Sequence, residues 1–428
     1  MIRLFALLFG RKFLLQRWRF FGAIGILWCL LGLSIFIDAI DGRTVIHSSY
    51  FGYLLLPEAS ICLVCAKLRA GFVRKALLFK GAGLFIVSAL IISASSSSQF
   101  LLALILSAIL VVDGIFRIGS AWVVRFSNWR WSATRGVCEV LLACITLQPL
   151  PTWYAGTIGF IVGMLTFISG ISILKLLVES LKVKGERGSY TIRKQPGSSS
   201  SEVDVAAVSQ DLWVHIWRPE RAGDLPFHQK IIGRYIAAVD RNGVISTGHA
   251  ALEMGRDVYI SHYPAQDIDR NSDEFFKILK ATHDNDLPGR FLASYAQESS
   301  EWCSSNDRIR FTNIEAQQVK YFWRLYQEDA TYNLTNRNCS NAVVVALDAA
   351  VNGILSKRSW PLLIALKLCV TPEFWIAALI RKKAESMAWT PGLLLDYARS
   401  LSVVVYSAEV NWKFTEKNET LETRIYKF

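Results

Sequence analysis

The chain has 428 residues, 52% of them apolar, and a formal net charge of +12. That length allows two or three domains, and the material is uneven: residues 20–180 are mostly apolar with few charges, whereas 184–340 read as an ordinary soluble domain. The excess Lys and Arg flank apolar stretches and form no basic stripe with interleaved aromatics, which points to membrane topology and away from nucleic acid.

The first twenty residues, MIRLFALLFGRKFLLQRWRF, alternate apolar and basic side chains without a small-residue cleavage site. They predict an interfacial basic helix feeding a membrane span rather than a signal peptide. Apolar stretches of spanning length follow at roughly 20–40, 49–66, 76–95, 99–122, 132–149 and 153–178. Pro57 and Glu58 interrupt the second.

Charge orients the set. Arg11, Lys12, Arg17 and Arg19 precede the first span, and Lys67, Arg69, Arg74 and Lys75 separate the second from the third. Arg117, Arg125, Arg130 and Arg135 flank the fourth-to-fifth connection, and Lys182, Lys184 and Arg187 follow the sixth. The alternate connectors carry only Arg43. Every second loop is basic, so the expectation is a multi-pass cell-membrane protein with both the N-terminus and the C-terminal domain in the cytoplasm. Glu58, Asp113 and Glu139 lie in or near spans; the expectation is a helix break at Pro57–Glu58 and ion pairs with Arg117 and Arg135 for the other two, the alternative being a functional site of a transporter. Cys29, Cys62, Cys65, Cys138 and Cys144 fall inside the apolar stretches, where cysteine packs as a small hydrophobe.

Glycines at 81, 83, 114, 119, 156, 159, 163 and 170 permit close helix packing, and through it a homo-oligomer. With the span number and short loops, this region resembles the HdeD family of small six-span membrane proteins. The resemblance implies an association with acid resistance.

Residues 184–210 read as a flexible Gly/Ser-rich tether after a membrane domain at 1–183. From Asp211, LWVHIWRP, GRYIAAVD, VISTGHAALEM and DVYISHYP read as strands, with RFLASYA and DRIRFTNI as further strands. IEAQQVKYFWRLYQED and CSNAVVVALDAAVN read as helices, the second ending at Gly353. Strands followed by helices predict an α+β domain over 211–353.

Three residues in it carry chemistry. His249 follows the small residues Ser246, Thr247 and Gly248, and Cys339 opens its helix with Asn338 or Asn336 as the N-cap. A thiol there, with the helix dipole and free amides behind it, needs only an imidazole to become a nucleophile. With Gly255-Arg256 as a two-residue hairpin loop, His249 faces His262 across the ladder. His262 could then orient His249, with Glu253 as a substitute. His215, His228, His283 and Cys303 read as structural or surface groups. A zinc set of His249, His262 and Cys339 would lack a fourth ligand, and no cofactor or metal is expected.

A histidine strand, a glycine turn, His262 near Pro264, and later Asn338-Cys339 opening a helix resemble the permuted papain-like fold. Its members include the lecithin:retinol acyltransferase-like and permuted NlpC-type cysteine hydrolases. The resemblance implies Cys339 as nucleophile, His249 as base and His262 as third polar residue. In the acyltransferase branch acidic, histidine and aromatic residues follow the cysteine; here Ser340-Asn341-Ala342 follow.

Residues 354–428 begin with SWPLLIALKLCVTPEFWIAALIRKK, interrupted by Lys367, Pro372 and Glu373. This predicts a helical hairpin in the membrane interface or on the catalytic domain. TPGLLLDYARSL predicts a packing helix starting at Pro391, and the last residues are polar. The expected function is a membrane-anchored thiol hydrolase of amidase or peptidase type, bound to the lipid bilayer and acting on a peptide, amide or acyl-lipid substrate. The alternatives are a lipid acyl hydrolase or acyltransferase, and a non-enzymatic acid-stress membrane protein.

Overall fold

Sixteen N-terminal residues and a long apolar bundle lead into an antiparallel sheet packed by helices. The computed structural model describes residues 1–41, 45–68, 71–93, 95–126, 128–148, 156–182, 211–218, 238–239, 245–246, 248–266, 268, 275–358 and 360–407. The tether 184–210, Arg43, Thr247, His228, most of GRYIAAVD and the tail from 408 lie outside them.

The bundle follows hydropathy closely. Helix α1 (Ile2–Gln16) precedes α2 (Trp18–Ile40), α3 (Ser49–Lys67), α4 (Gly71–Ser93), α5 (Ser96–Val124), α6 (Trp129–Leu147) and α7 (Thr157–Lys182). Stretches of α2, α3, α4, α5 and α7 are long and apolar enough to cross a membrane. Helix α6 carries Arg130, Arg135 and Glu139 and is not among them, although it lies where a span is predicted. The sixth stretch that qualifies is Cys339–Lys357, which is 61% buried inside the sheet domain and so reads as core.

The helices pair α2 with α7, α3 with α4 and α5 with α6. Small residues set the crossings. A Cβ on Gly32 would stand 2.8 Å from the Gly163 carbonyl oxygen, and one on Gly114 would meet that of Gly136 at 2.7 Å. Gly83 and Gly119, also expected at contacts, face open space. Asp113 pairs with Arg117 at 2.6 Å as predicted, but Glu139 reaches Arg117 from the next helix at 3.1 Å rather than Arg135. Glu58 pairs with Lys80 at 2.6 Å, and Pro57 lies inside α3 without ending it.

Helix α1 corrects one expectation. It does not lie apart as an interfacial helix: Leu4, Leu8, Phe9 and Phe13 belong to the same buried core as Leu252, Val343 and Leu394. Gly10 and Gly353, both in the left-handed region, pack backbone to backbone, and the Gly353 amide donates to the Leu7 carbonyl at 2.9 Å. Arg11 Nε donates to the Ser180 carbonyl near the end of α7 at 2.9 Å.

The sheet domain contains β1 (Leu212–Trp217), a short ladder of β2 (Ala238–Val239) with β3 (Ile245–Ser246), β4 (His249–Met254), β5 (Val258–Pro264), α8 (Phe275–Ile278) and β6 (Leu287–Phe291). Then come α9 (Tyr295–Glu301), β7 (Asp307–Phe311), α10 (Ala316–Tyr326), β8 (Thr331–Tyr332) and α11 (Cys339–Val351). Six strands form one antiparallel sheet in the order β7-β1-β4-β5-β6-β8. Alternation decides its faces. Val214, Ile216, Ala250, Leu252 and Ile260 point into the core with α10 and α11, whereas Trp217, Ala251 and Tyr259 form a smaller cluster on the other side. RFLASYA, expected as one strand, stops as β6 at Phe291; Ser294 then caps α9 by accepting from Gln297 N at 3.1 Å.

The β4–β5 hairpin differs from the two-residue loop predicted. Met254 pairs with Val258, leaving Gly255, Arg256 and Asp257 in the loop, with Gly255 at φ +59°. One extra residue shifts the register and exchanges the faces. His249 comes level with Tyr263, and His262 points to the opposite side.

The C-terminal segment forms α12 (Pro361–Val370), α13 (Pro372–Glu385) and α14 (Pro391–Ser407). The first two meet at a 75° bend. Helix α13 packs into the core and touches the bundle where Lys80 sits over the Trp375 ring, 3.0 Å from its centre. Helix α14 closes the core against β7 and β1, starting at Pro391 as predicted. On α12, Leu362, Leu363 and Leu366 stay exposed.

Candidate active site

Cys339 is the first residue of α11, and Asn338 is its N-cap, as the residue order predicts. The Asn338 carboxamide oxygen accepts from Asn341 N at 2.8 Å, and its nitrogen donates to the carbonyls of Leu334 at 2.7 Å and Trp389 at 2.9 Å. The cap is thus pinned by the C-terminal segment as well as by its own loop. The thiol is buried. It interacts with the His249 ring, with the Ala250 amide and with the Ser340 hydroxyl. Burial alone would raise its pKa, but the His249 imidazolium and these donors outweigh burial and hold the thiol below its ordinary range.

His249 opens β4 directly after Gly248, whose φ of +72° turns the chain into the strand. Its Nε2 lies 3.0 Å from Ser261 Oγ and 3.1 Å from Glu298 Oε1. Its ring stacks on Tyr263, with centres 4.0 Å apart at 15°. Burial disfavours the imidazolium, yet the Cys339 thiolate and the Glu298 carboxylate overcome it and lift the ring to about 9. With Nε2 held by Glu298 and Ser261, Nδ1 is the nitrogen left to exchange a proton with the sulfur.

Glu298, on α9, is 1% exposed. It accepts from the Tyr259 hydroxyl and, at 2.7 Å, from the Tyr263 hydroxyl. Burial would raise its pKa, but His249 and the two tyrosines hold it below the ordinary value. Both phenols are in turn pushed up, first by burial and then by this carboxylate. The result is a buried run of thiolate, imidazolium and carboxylate, in which the two anions accept from neutral donors and the ring between them donates.

Of the three residues predicted, the structure brings together Cys339 and His249 and sets His262 apart. On the core face, His262 Nδ1 lies 3.0 Å from the Tyr326 hydroxyl, and its ring packs among Phe291 and Tyr332. Burial lowers it to about 4. Glu253, the substitute, bonds His215 at 3.0 Å rather than His249. His283 is exposed beside Asp286, and Cys303 is exposed. Glu298 does not stand out in the sequence because it follows RFLASYA, which reads as strand and conceals the start of α9; the S-x-x-Q pattern at Ser294–Gln297 is the helix-start signal there.

A thiolate at a helix N-terminus, an imidazolium beside it and a carboxylate behind that ring are the parts of a nucleophilic acyl-transfer site. The free amides of the first turn of α11 are donors suited to an oxyanion. Among the described residues no group of three His, Cys, Asp or Glu could hold a metal ion. No family model, curated protein or solved structure matches the chain.

Proposed function

We propose that the chain is a membrane-anchored cysteine hydrolase of amidase or peptidase type, its sheet domain permuted papain-like and its spans HdeD-like. The observation that carries the reading is the buried Cys339–His249–Glu298 run at the start of a helix. His249 takes the thiol proton, the sulfur attacks the substrate carbonyl, and the imidazolium protonates the leaving group. Water activated by His249 then releases the acyl group. Glu298 takes the orienting role that the resemblance gives to His262.

Parity supports the sidedness. Helix α1 and the sheet domain share one core, so they stand on the same side of the bilayer and an even number of crossings separates them. Counting α6 gives six, in keeping with the basic loops facing the cytoplasm.

The test is alkylation of the detergent-solubilised chain by a fluorescent iodoacetamide at pH 6, read peptide by peptide by mass spectrometry. Ordinary thiols are protonated there. Fast labelling at Cys339, slowed on the order of 10²-fold in His249→Ala, is the expected result. Labelling of Cys339 no faster than of Cys303 sinks the reading.

One observation favours an acyl-lipid substrate as the second reading. The Ala281 amide donates to the Val124 carbonyl at the end of α5 at 2.7 Å, and Asn336, three residues before the nucleophile, donates to the Ala281 carbonyl. The site then stands close to the bilayer surface. Peptide and phospholipid libraries offered to the same preparation separate the two substrates.

A further inference from the structure

The sheet face that carries His249 carries a second histidine with its own carboxylate and hydroxyl. His215, on β1, is buried. Its Nε2 lies 3.0 Å from Glu253 Oε2, and its Nδ1 lies 3.3 Å from Ser305 Oγ. With Nε2–H donating to the carboxylate, Nδ1 is left to accept the Ser305 hydroxyl. Tyr295 stacks on the ring, centres 4.2 Å apart, and fixes its plane. Burial, with Arg308 next, lowers His215 to about 4 and keeps it a neutral base.

Ser305 Oγ also accepts from Arg308 Nε at 3.1 Å, and the Tyr295 hydroxyl lies 3.3 Å away. These donors face the charge that would form on the oxygen as its proton leaves. Beside Ser305, Trp302 is 55% exposed and stacks on Trp217. It offers an aromatic platform to an acyl or aryl group arriving from solvent.

We propose that Ser305, His215 and Glu253 form a second nucleophilic site, a Ser–His–Glu relay separate from Cys339 that accepts acyl groups from water-soluble esters. In the step, the Ser305 hydroxyl proton passes to His215 Nδ1 while Oγ bonds to the ester carbonyl carbon. The bond from that carbon to the alcohol oxygen breaks, and the alcohol leaves with the proton from His215. Water, deprotonated by the same nitrogen, then hydrolyses the acyl-serine. Glu253 is a positioning residue, since it acts through the ring.

The experiment uses the full chain in detergent with Cys339→Ala throughout, so that the thiol reading has no bearing on the result. A rhodamine fluorophosphonate is the probe: Oγ bonds to phosphorus and fluoride leaves. The expected result is one labelled site, mapped to Ser305 by mass spectrometry, abolished by Ser305→Ala and reduced at least tenfold by His215→Gln. Melting temperatures recorded for each variant separate lost chemistry from lost fold. A folded Cys339→Ala chain that takes no label, or takes it equally after Ser305→Ala, overturns the proposal. So does a Ser305→Thr variant labelled no more slowly than Ser305 itself when His215→Gln is also without effect.

Discussion

Two histidines on one sheet face, one protonated and one neutral near pH 7, differ because of their neighbours. His249 faces a thiol and a carboxylate, so its ring is lifted to about 9, while Cys339 is lowered. The thiolate–imidazolium pair therefore exists between a lower limit set by the sulfur and an upper limit set by the ring, the two limits belonging to the pair. On the hydrolase reading proposed above, activity should follow a bell of that shape. Glu298→Gln removes the charge that favours the imidazolium, so the basic limb moves to lower pH; pH–rate profiles of kcat/KM for both forms check this. His262 and His215, lowered to about 4 by burial, work the other way. The folded state binds their protons less tightly than the unfolded chain does, with its ordinary value near 6.5. Their stabilisation is complete above about pH 6.5 and is lost as pH falls through about 4. Melting temperatures should fall across that window, and less steeply in His262→Gln.

Among the elements, what the sequence discloses depends on how local the cause is. Spans depend on hydropathy over some twenty residues, so α2 to α5 and α7 qualify where apolar stretches predict them, whereas α6, with Arg130, Arg135 and Glu139, lies at its predicted place without qualifying. The start of α11 is written in Asn338-Cys339 and recurs as drawn. The hairpin register is not local in this sense: it turns on whether Asp257 belongs to the loop, and that one residue decides which face His262 takes. Glu298 was hidden for another reason, since a carboxylate on a short helix gains meaning only once the sheet carries His249 to it. A close contact between elements also yields a prediction. A Cβ on Gly10 would stand 2.8 Å from Gly353 Cα, and both residues have positive φ. Gly10→Ala should cost roughly 1–3 kcal/mol, from strain and overlap together. Thermal unfolding in detergent measures it, and Gly83→Ala, in open space, serves as the unaffected comparison.

At the scale of the molecule, bundle and sheet domain are joined at several points besides the tether. Helix α1 lies in the core, α13 rests on α4 through Lys80 and Trp375, and the 281 loop holds the end of α5. Deleting residues 1–16 should therefore unfold the sheet domain rather than merely release it, because Leu4, Leu8, Phe9 and Phe13 would leave a void lined by apolar side chains. Limited proteolysis of the truncated chain reads this as new cleavage within 249–351. Intact α10 and α11 after truncation would show the domain to be self-sufficient.

The clasp of Gly10 on Gly353 has a consequence for biosynthesis. The opening helix leaves the ribosome some 340 residues before its seat exists, a wait on the order of 20–70 s at ordinary elongation rates. During that time its greasy side, with Phe9 and Phe13, has nowhere to hide except the lipid surface beside the first span. Arg3, Arg11 and Lys12 suit it to an anionic leaflet meanwhile. The amphipathic pattern that reads as a permanent surface helix then describes a temporary berth, vacated when the late-made half of the chain arrives.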